Sequence, residues 1–165
     1  MPEIWDAYYK DGTLAGFDLF RDEKIPNGVY HLVCQIVVRH KDGSFLVMQR
    51  DFNKKICPGM YEISAGGSVL KGETSLEGAI RELAEETGIC EERLILDYIE
   101  ISEEKRTIYN MFYVITDCNK NSIKLQKGET VGFEWVEKNE LIQRVGSSPK
   151  RFANPQRINK CSLFK

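Results

Sequence analysis

Histidine, paired cysteines and long apolar runs are scarce in this sequence, and each scarcity excludes a class of protein. Only two histidines occur, His31 and His40, which are too few and too far apart for a convincing zinc site. The five cysteines are scattered, with no CxxC pair and no signal peptide before them, so we expect reduced thiols in a cytoplasmic protein. The longest apolar runs have the length of a strand, so no membrane-spanning segment is predicted.

An excess of charge of either sign is also missing. The formal net charge is -2 and the pI is about 5.8, which gives no general attraction to nucleic acid or to a membrane surface. A phosphorylated small molecule would therefore have to be held by a local device such as a metal ion. The 165 residues fit a single domain, 1–165, with a core large enough to fold alone.

Segments of strand and helix character alternate along the chain. Residues 1–30 contain aromatic segments on both sides of Asp11-Gly12 and are predicted to form an N-terminal β-hairpin. The β-branched run 32–39 is typical of a central strand, and a turn at Asp42-Gly43 predicts a second hairpin with 45–49. Residues 146–165 are polar and basic and could form a short helix or a draped tail, in which Arg157 is expected to be solvated.

The clearest helix runs from Ser75 to Thr87, with Gly88 as its C-cap. Strands interrupted by helices predict an α/β fold, a mixed β-sheet between helices. The remaining predicted elements are strands at 93–101, Thr107–Thr116 and 131–136, and a helix at 138–145.

Glu82, Glu85 and Glu86 share one face of the predicted helix, because they are related by i, i+3 and i+4. Like charges at this spacing cost a bare helix a few tenths of a kcal/mol. A hard divalent cation reverses that balance, since Mg²⁺ and Mn²⁺ prefer carboxylate oxygens. A neighbouring face is predicted to pack on the sheet and carries Leu76, Ala79, Ile80 and Leu83.

The residues around these glutamates separate a metal site from an ordinary solvated helix, which often has a similar composition. Gly66 and Gly67 lack a Cβ and allow the loop backbone to come close enough to present a carbonyl or an amide. Arg81 can pair with glutamates one turn away and hold a carboxylate in place. The glycine pair, Glu73, the arginine and the terminal Gly88 together favour the metal site.

The stretch from 67 to 89 resembles the Nudix signature, G-x5-E-x7-R-E-U-x-E-E-x-G-U, at every defined position. The resemblance to this family, of the MutT-like type, implies a Nudix α/β/α sandwich whose Nudix box is 67–89. It also implies an enzyme that hydrolyses the diphosphate bond of a nucleoside diphosphate derivative or a related organic pyrophosphate, with Mg²⁺ or Mn²⁺.

The resemblance implies a role for each matching residue. Glu82, Glu85 and Glu86 would be metal ligands, and the Gly66 carbonyl could be added to them. Arg81 would orient a carboxylate, and Gly67 and Glu73 are assigned to substrate binding. Glu73 could equally be an outer ligand or a structural partner of the helix.

Two residues compete for the role of general base. Glu82 is the first choice. Glu129, in a later loop, is the alternative, and it could equally be an ordinary loop carboxylate.

Two other functions remain open. The segments at 31–50 and 57–67 also resemble the Nudix-fold proteins related to isopentenyl-diphosphate isomerase. Those enzymes use a catalytic cysteine where this chain has Gly66, which disfavours isomerisation. A non-catalytic nucleotide-binding module is the third hypothesis, although no glutamate of the box is missing. Nudix proteins are often dimers, and the N-terminal hairpin could supply the interface of a homodimer.

Overall fold

The secondary structure follows the expected order in the computed structural model, which describes residues 2–165. The elements are β1 (Ile4–Tyr8), β2 (Leu14–Phe20), β3 (His31–His40), β4 (Phe45–Arg50), β5 (Tyr61–Glu62), β6 (Ser64–Ser68), α1 (Ser75–Thr87), β7 (Ile95–Ser102), β8 (Thr107–Thr116), β9 (Thr130–Val136), α2 (Lys138–Ser147) and α3 (Arg157–Lys160).

The main sheet is mixed, as predicted, and β3 lies at its centre. Five strands follow one another in the order β5-β4-β3-β8-β7, while β6 pairs with β3 and β9 pairs with β4. Strands β3 and β8 are parallel, with His31 opposite Thr107 and His40 opposite Thr116. A parallel pair needs a long crossover connection, and α1 lies within it. The predicted N-terminal hairpin is confirmed, since β1 and β2 pair antiparallel.

The second predicted hairpin exists only at its turn. Arg39 lies opposite Phe45 across Asp42-Gly43, but this is the single residue pair between β3 and β4. Beyond it β4 pairs with β9, and the freed edge of β3 pairs with β6. Strand β6 is rich in glycine and can therefore approach the backbone of β3 closely. The predicted hairpin is therefore confirmed at its turn, while long-range pairings replace the local one along the rest of both strands.

Apolar clusters on both faces of the sheet confirm the α/β/α sandwich. One face of the sheet packs against α1, with Ala79 and Leu83 fully buried. The opposite face packs against α2 and the C-terminal segment. A smaller cluster lies under the N-terminal hairpin and contains Trp5 and Leu19. No helix in residues 2–165 is both long enough and apolar enough to cross a membrane.

Two predictions of exposure or burial are corrected by the packing. Arg157, expected on a solvated tail, is 6% exposed, and its guanidinium donates to the Ser64 hydroxyl. The tail is buried there because its apolar side chains, including Phe164, complete the second core. Leu76, expected to pack on the sheet, is 40% exposed, since it lies in the first turn and the buried residues of α1 begin at Gly78.

Candidate active site

Helix α1 presents its glutamates in a fixed orientation because both of its ends are capped. Thr74 and Glu77 form a capping box at the N-terminus, in which each side chain bonds to the other residue's backbone N–H. Gly88 ends the helix in the left-handed conformation, with φ 75°. Burial of Ala79 and Leu83 against the sheet turns the face with Glu82, Glu85 and Glu86 toward a cleft.

Arg81 is the centre of a carboxylate network. Its Nε and Nη2 donate to the two carboxylate oxygens of Glu73, at 2.8 and 2.9 Å. Its Nη1 contacts Glu82 at 2.7 Å and Glu85 at 3.4 Å. The Glu73 carboxylate also accepts from the Leu70 amide, and Arg81 lowers the pKa of Glu73. The Glu73 carboxylate is therefore paired with Arg81. Among residues 2–165, Glu73 lines a pocket next to the cleft with the helix glutamates, and not that cleft itself.

Two of the three helix glutamates are buried in unfavourable surroundings. Burial raises the pKa of Glu82 against the opposing effect of Arg81. Glu86 is 8% exposed and accepts a hydrogen bond of 3.0 Å from the Gly66 amide. Burial, followed by the nearby carboxylates of Glu62, Glu82 and Glu129, raises its pKa to about 8. A cation placed among these groups would relieve both penalties.

The glycine pair is required by close contacts. A Cβ on Gly66 would lie 2.2 Å from the Cys34 carbonyl oxygen, and its φ of 147° is one that glycine favours. A Cβ on Gly67 would lie 2.7 Å from the Glu82 carboxylate. The β6 backbone is therefore in contact with both the central strand and a helix carboxylate, as the spacing of the motif suggested.

The glutamates open onto a cleft of about 890 Å³ that has three walls. The glycine turn and α1 form the first wall. The second is formed by Arg50 and residues 53–56 with Glu129, where Lys54 forms an ion pair with Glu129. The N-terminal hairpin contributes the third through Glu3, Trp5 and Arg21. Neither Lys54 nor the hairpin wall was predicted from the sequence, where two adjacent lysines in a loop were the only signal for this part of the cleft.

The donor set of the cleft fits a hard divalent cation. All of the side chains concerned are carboxylates, and the backbone of Gly67 is in contact with one of them. Within residues 2–165, no three acidic, histidine or cysteine side chains are grouped closely enough to hold a metal ion by themselves. The Arg81 guanidinium pairs with Glu82 and Glu85 there.

No thiol is available for isomerase chemistry in the part of the cleft that residues 2–165 form. A cysteine side chain at position 66 would collide with the backbone of β3. Cys34 lies beside the glycine pair, with its Sγ 3.5 Å from the Gly67 carbonyl oxygen, but it is fully buried. Burial raises the pKa of this thiol to about 12, so it is inert as a nucleophile and as an acid at neutral pH.

Comparisons with known proteins agree with this geometry. A family model described as NUDIX domain matches residues 29–157. The chain is 34% identical over 140 residues to an uncharacterized Nudix hydrolase of Listeria monocytogenes, which covers 84% of this chain and 82% of that protein. The chain belongs to the Nudix family.

Two further similarities concern the fold and the subgroup. A crystal structure of a Deinococcus radiodurans protein superposes with a TM-score of 0.78 at 18% identity, covering 97% of this chain and 99% of that one. An isopentenyl-diphosphate Delta-isomerase of Corynebacterium diphtheriae is 27% identical over 132 residues, 74% of this chain and 72% of that protein.

Family membership confirms that the protein is a Nudix hydrolase, an enzyme that hydrolyses pyrophosphate bonds of small phosphorylated substrates. Nudix hydrolases generally use divalent metals.

Proposed function

We propose that this Nudix hydrolase cleaves the diphosphate bond of a nucleoside diphosphate derivative or a related organic pyrophosphate with Mg²⁺ or Mn²⁺. The observation that carries the proposal is the convergence of Glu82, Glu85 and Glu86 on a cleft that also contains Lys54 and Glu129. Carboxylates suit the metal, and the cations of residues 50–55 suit the phosphate oxygens.

Glu82, Glu85 and Glu86 would hold the metal, and the Gly66 carbonyl could complete the set. A divalent ion bound there would neutralise phosphate oxygens and lower the pKa of an attacking water. Arg81 keeps Glu82 and Glu85 aligned through its own anchor on Glu73. Gly67 has no Cβ, so the Glu82 carboxylate packs directly against its backbone, and the substrate would bind next to this contact.

We assign the general base to Glu129 and not to Glu82. Glu82 is held by Arg81 and packed against Gly67, whereas the Glu129 side chain is 35% exposed at the mouth of the cleft. Glu129 accepts a proton from the water while the water oxygen bonds to phosphorus. The bridging P–O bond breaks at the same time, and its electrons leave with the departing phosphate.

A substrate panel tests this function. The wild-type protein is incubated with nucleoside diphosphates, nucleotide sugars and isopentenyl diphosphate, with and without Mg²⁺, and phosphate products and allylic isomer are both measured. We expect metal-dependent diphosphate cleavage that falls at least about 100-fold in Glu86→Gln. Glu77→Gln is the control, since Glu77 lies on the same helix outside the cleft. Dimethylallyl diphosphate as the main product would overturn the proposal.

We also propose that the chain forms a homodimer through its N-terminal hairpin. Leu14 and Phe17 on β2 are 61% and 45% exposed, and a second copy would cover this apolar surface. Light scattering should give twice the mass of one chain, and Leu14→Glu with Phe17→Glu should halve it. A wild-type mass equal to one chain would disprove the dimer.

A further inference from the structure

Two loops meet at the mouth of the cleft through one pair of side chains. Lys54, between β4 and β5, forms an ion pair with Glu129, which lies just before β9. The side chains are 20% and 35% exposed, so the pair is only partly screened by water. Both residues line the cleft that contains the helix glutamates. The Glu129 carboxylate also adds to the raised pKa of Glu86, one of the proposed metal ligands.

The backbones of the two loops are held together independently of this ion pair. The Asp51 amide donates to the Glu129 carbonyl at 2.9 Å, and Arg50 pairs with Thr130 in the sheet. The Lys54 amide donates to the Asp51 carbonyl at 3.2 Å, which fixes the base of the side chain. The ammonium group can therefore leave Glu129 while the loops remain in place.

Lys54 differs from Arg50, Arg21 and Lys55, which also line the cleft, in the carboxylate with which it pairs. Arg50 pairs with the largely buried Glu62, and Arg21 pairs with Glu3 on the hairpin. Lys55 is exposed and has no carboxylate within 4 Å in residues 2–165. In that part of the chain Lys54 is the cation that neutralises the proposed base.

We propose that Lys54 is a substrate-operated latch on Glu129. Without substrate, the Lys54 ammonium is paired with the Glu129 carboxylate. The diphosphate group of a bound substrate carries more negative charge than this carboxylate and attracts the ammonium away from it. Glu129 is then free to accept a proton from water. The inference rests on the proposed function for the role of Glu129. It makes the diphosphate group itself the signal that prepares the base, and Lys54 a positioning residue.

A double-mutant cycle on ligand binding tests the latch without turnover. Methylenediphosphonate, whose bridge cannot be hydrolysed, is titrated calorimetrically with Mg²⁺ into wild type, Lys54→Met, Glu129→Gln and the double variant. We expect Lys54→Met to weaken binding about tenfold and Glu129→Gln to strengthen it about threefold, because Lys54 is no longer shared. The double variant should bind like Lys54→Met.

The affinity of the double variant decides whether the gain from Glu129→Gln depends on Lys54. If Glu129→Gln strengthened binding equally in the Lys54→Met background, the gain would come from removing a like charge, and the latch would be wrong. No gain in either background would also overturn it. Asp117→Asn is the matched control, since Asp117 pairs with Lys41 outside the cleft and should leave the affinity unchanged.

Steady-state kinetics add a second readout. Lys54→Met should raise KM about tenfold with kcat unchanged or higher, and Lys54→Arg should restore KM; a merely structural lysine would lower kcat instead. A wild-type enzyme that hydrolysed no member of the substrate panel would defeat the proposed function. The binding cycle would still decide whether Lys54 is shared between Glu129 and the diphosphate.

Discussion

Glu86 is a carboxyl group that the fold holds in an environment suited to its neutral form. Its pKa of about 8 lies above the ordinary value of 4.5, so in metal-free protein the folded state binds a proton that the unfolded state has lost. Stability contributed by this group therefore falls as pH rises from 4.5 toward 8 and is constant above that. Gln at this position keeps the acceptor for the Gly66 amide and carries no charge.

We therefore expect Glu86→Gln to raise the melting temperature of the metal-free protein near pH 9 by roughly 4–8 °C. Near pH 5 the difference should be small, because Glu86 is then protonated in the folded wild type and carries no buried charge, like glutamine. Thermal denaturation with a chelator, and again with Mg²⁺, measures the melting temperatures of wild type and Glu86→Gln at both pH values. Mg²⁺ should stabilise wild type more than the variant, and equal melting temperatures near pH 9 in chelator would contradict the unfavourable burial of Glu86.

Gly66 is constrained by backbone and not by a flexible neighbour. A Cβ there would meet the Cys34 carbonyl and the Gln35 Cα, at 2.2 and 2.8 Å, so β3 and β6 would have to separate. Gly66→Ala should lower the free energy of unfolding by about 2–4 kcal/mol in urea titrations. Gly132→Ala is the control, because its Cβ would meet nothing closer than 3.5 Å. Equal stability of the two variants would show that the strands are not in close contact.

At the level of elements, the capping box determines how α1 begins. The Glu77 amide donates to the Thr74 hydroxyl at 3.2 Å, and the Thr74 amide donates to the Glu77 carboxylate at 2.8 Å. Thr74→Ala should cost about 1 kcal/mol in the free energy of unfolding, measured by urea denaturation. Glu77→Gln should stay close to wild type, since glutamine serves in the same motif.

The same box gives a pH dependence with a definite sign. Its hydrogen bonds with Thr74 lower the pKa of Glu77, so the stabilisation is present above the ordinary value of 4.5 and is lost as pH falls through the lowered one. The difference between wild type and Glu77→Gln should change only in that acidic range. A difference that changed instead between pH 6 and 8 would point to another group.

The elements also show which parts of the structure local sequence could predict. Helix α1 and β8 were predicted at their observed bounds, because periodicity, a glycine cap and β-branched runs are local signals. The β3–β4 hairpin was predicted beyond its turn because no local signal reports that β6 and β9 take over the strand edges. The box residues were found from their spacing, whereas Lys54 was missed because its role depends on a partner 75 residues away.

For the whole molecule, the folded unit is larger than the family match of residues 29–157. The N-terminal hairpin contributes a wall of the cleft, and Lys71 fastens it through Asp18 and the Ile4 carbonyl. Near the other end, Arg157, the last residue of the match, bonds to Ser64 on β6, the strand that carries the glycine pair. The hairpin and the C-terminal segment therefore support the site from outside the Nudix box.

Phe164, the last buried residue of the chain, allows a direct test of whether the C-terminal segment belongs to the core. Phe164 stacks on the fully buried Phe45 with ring centroids 4.4 Å apart. Phe164→Ala should lower the free energy of unfolding by about 3–5 kcal/mol, because it opens a cavity against β4. Phe52→Ala is the matched control, since Phe52 is 67% exposed and should cost at most about 1 kcal/mol. Urea denaturation measures both, and equal effects would show that the C-terminal segment is not part of the core.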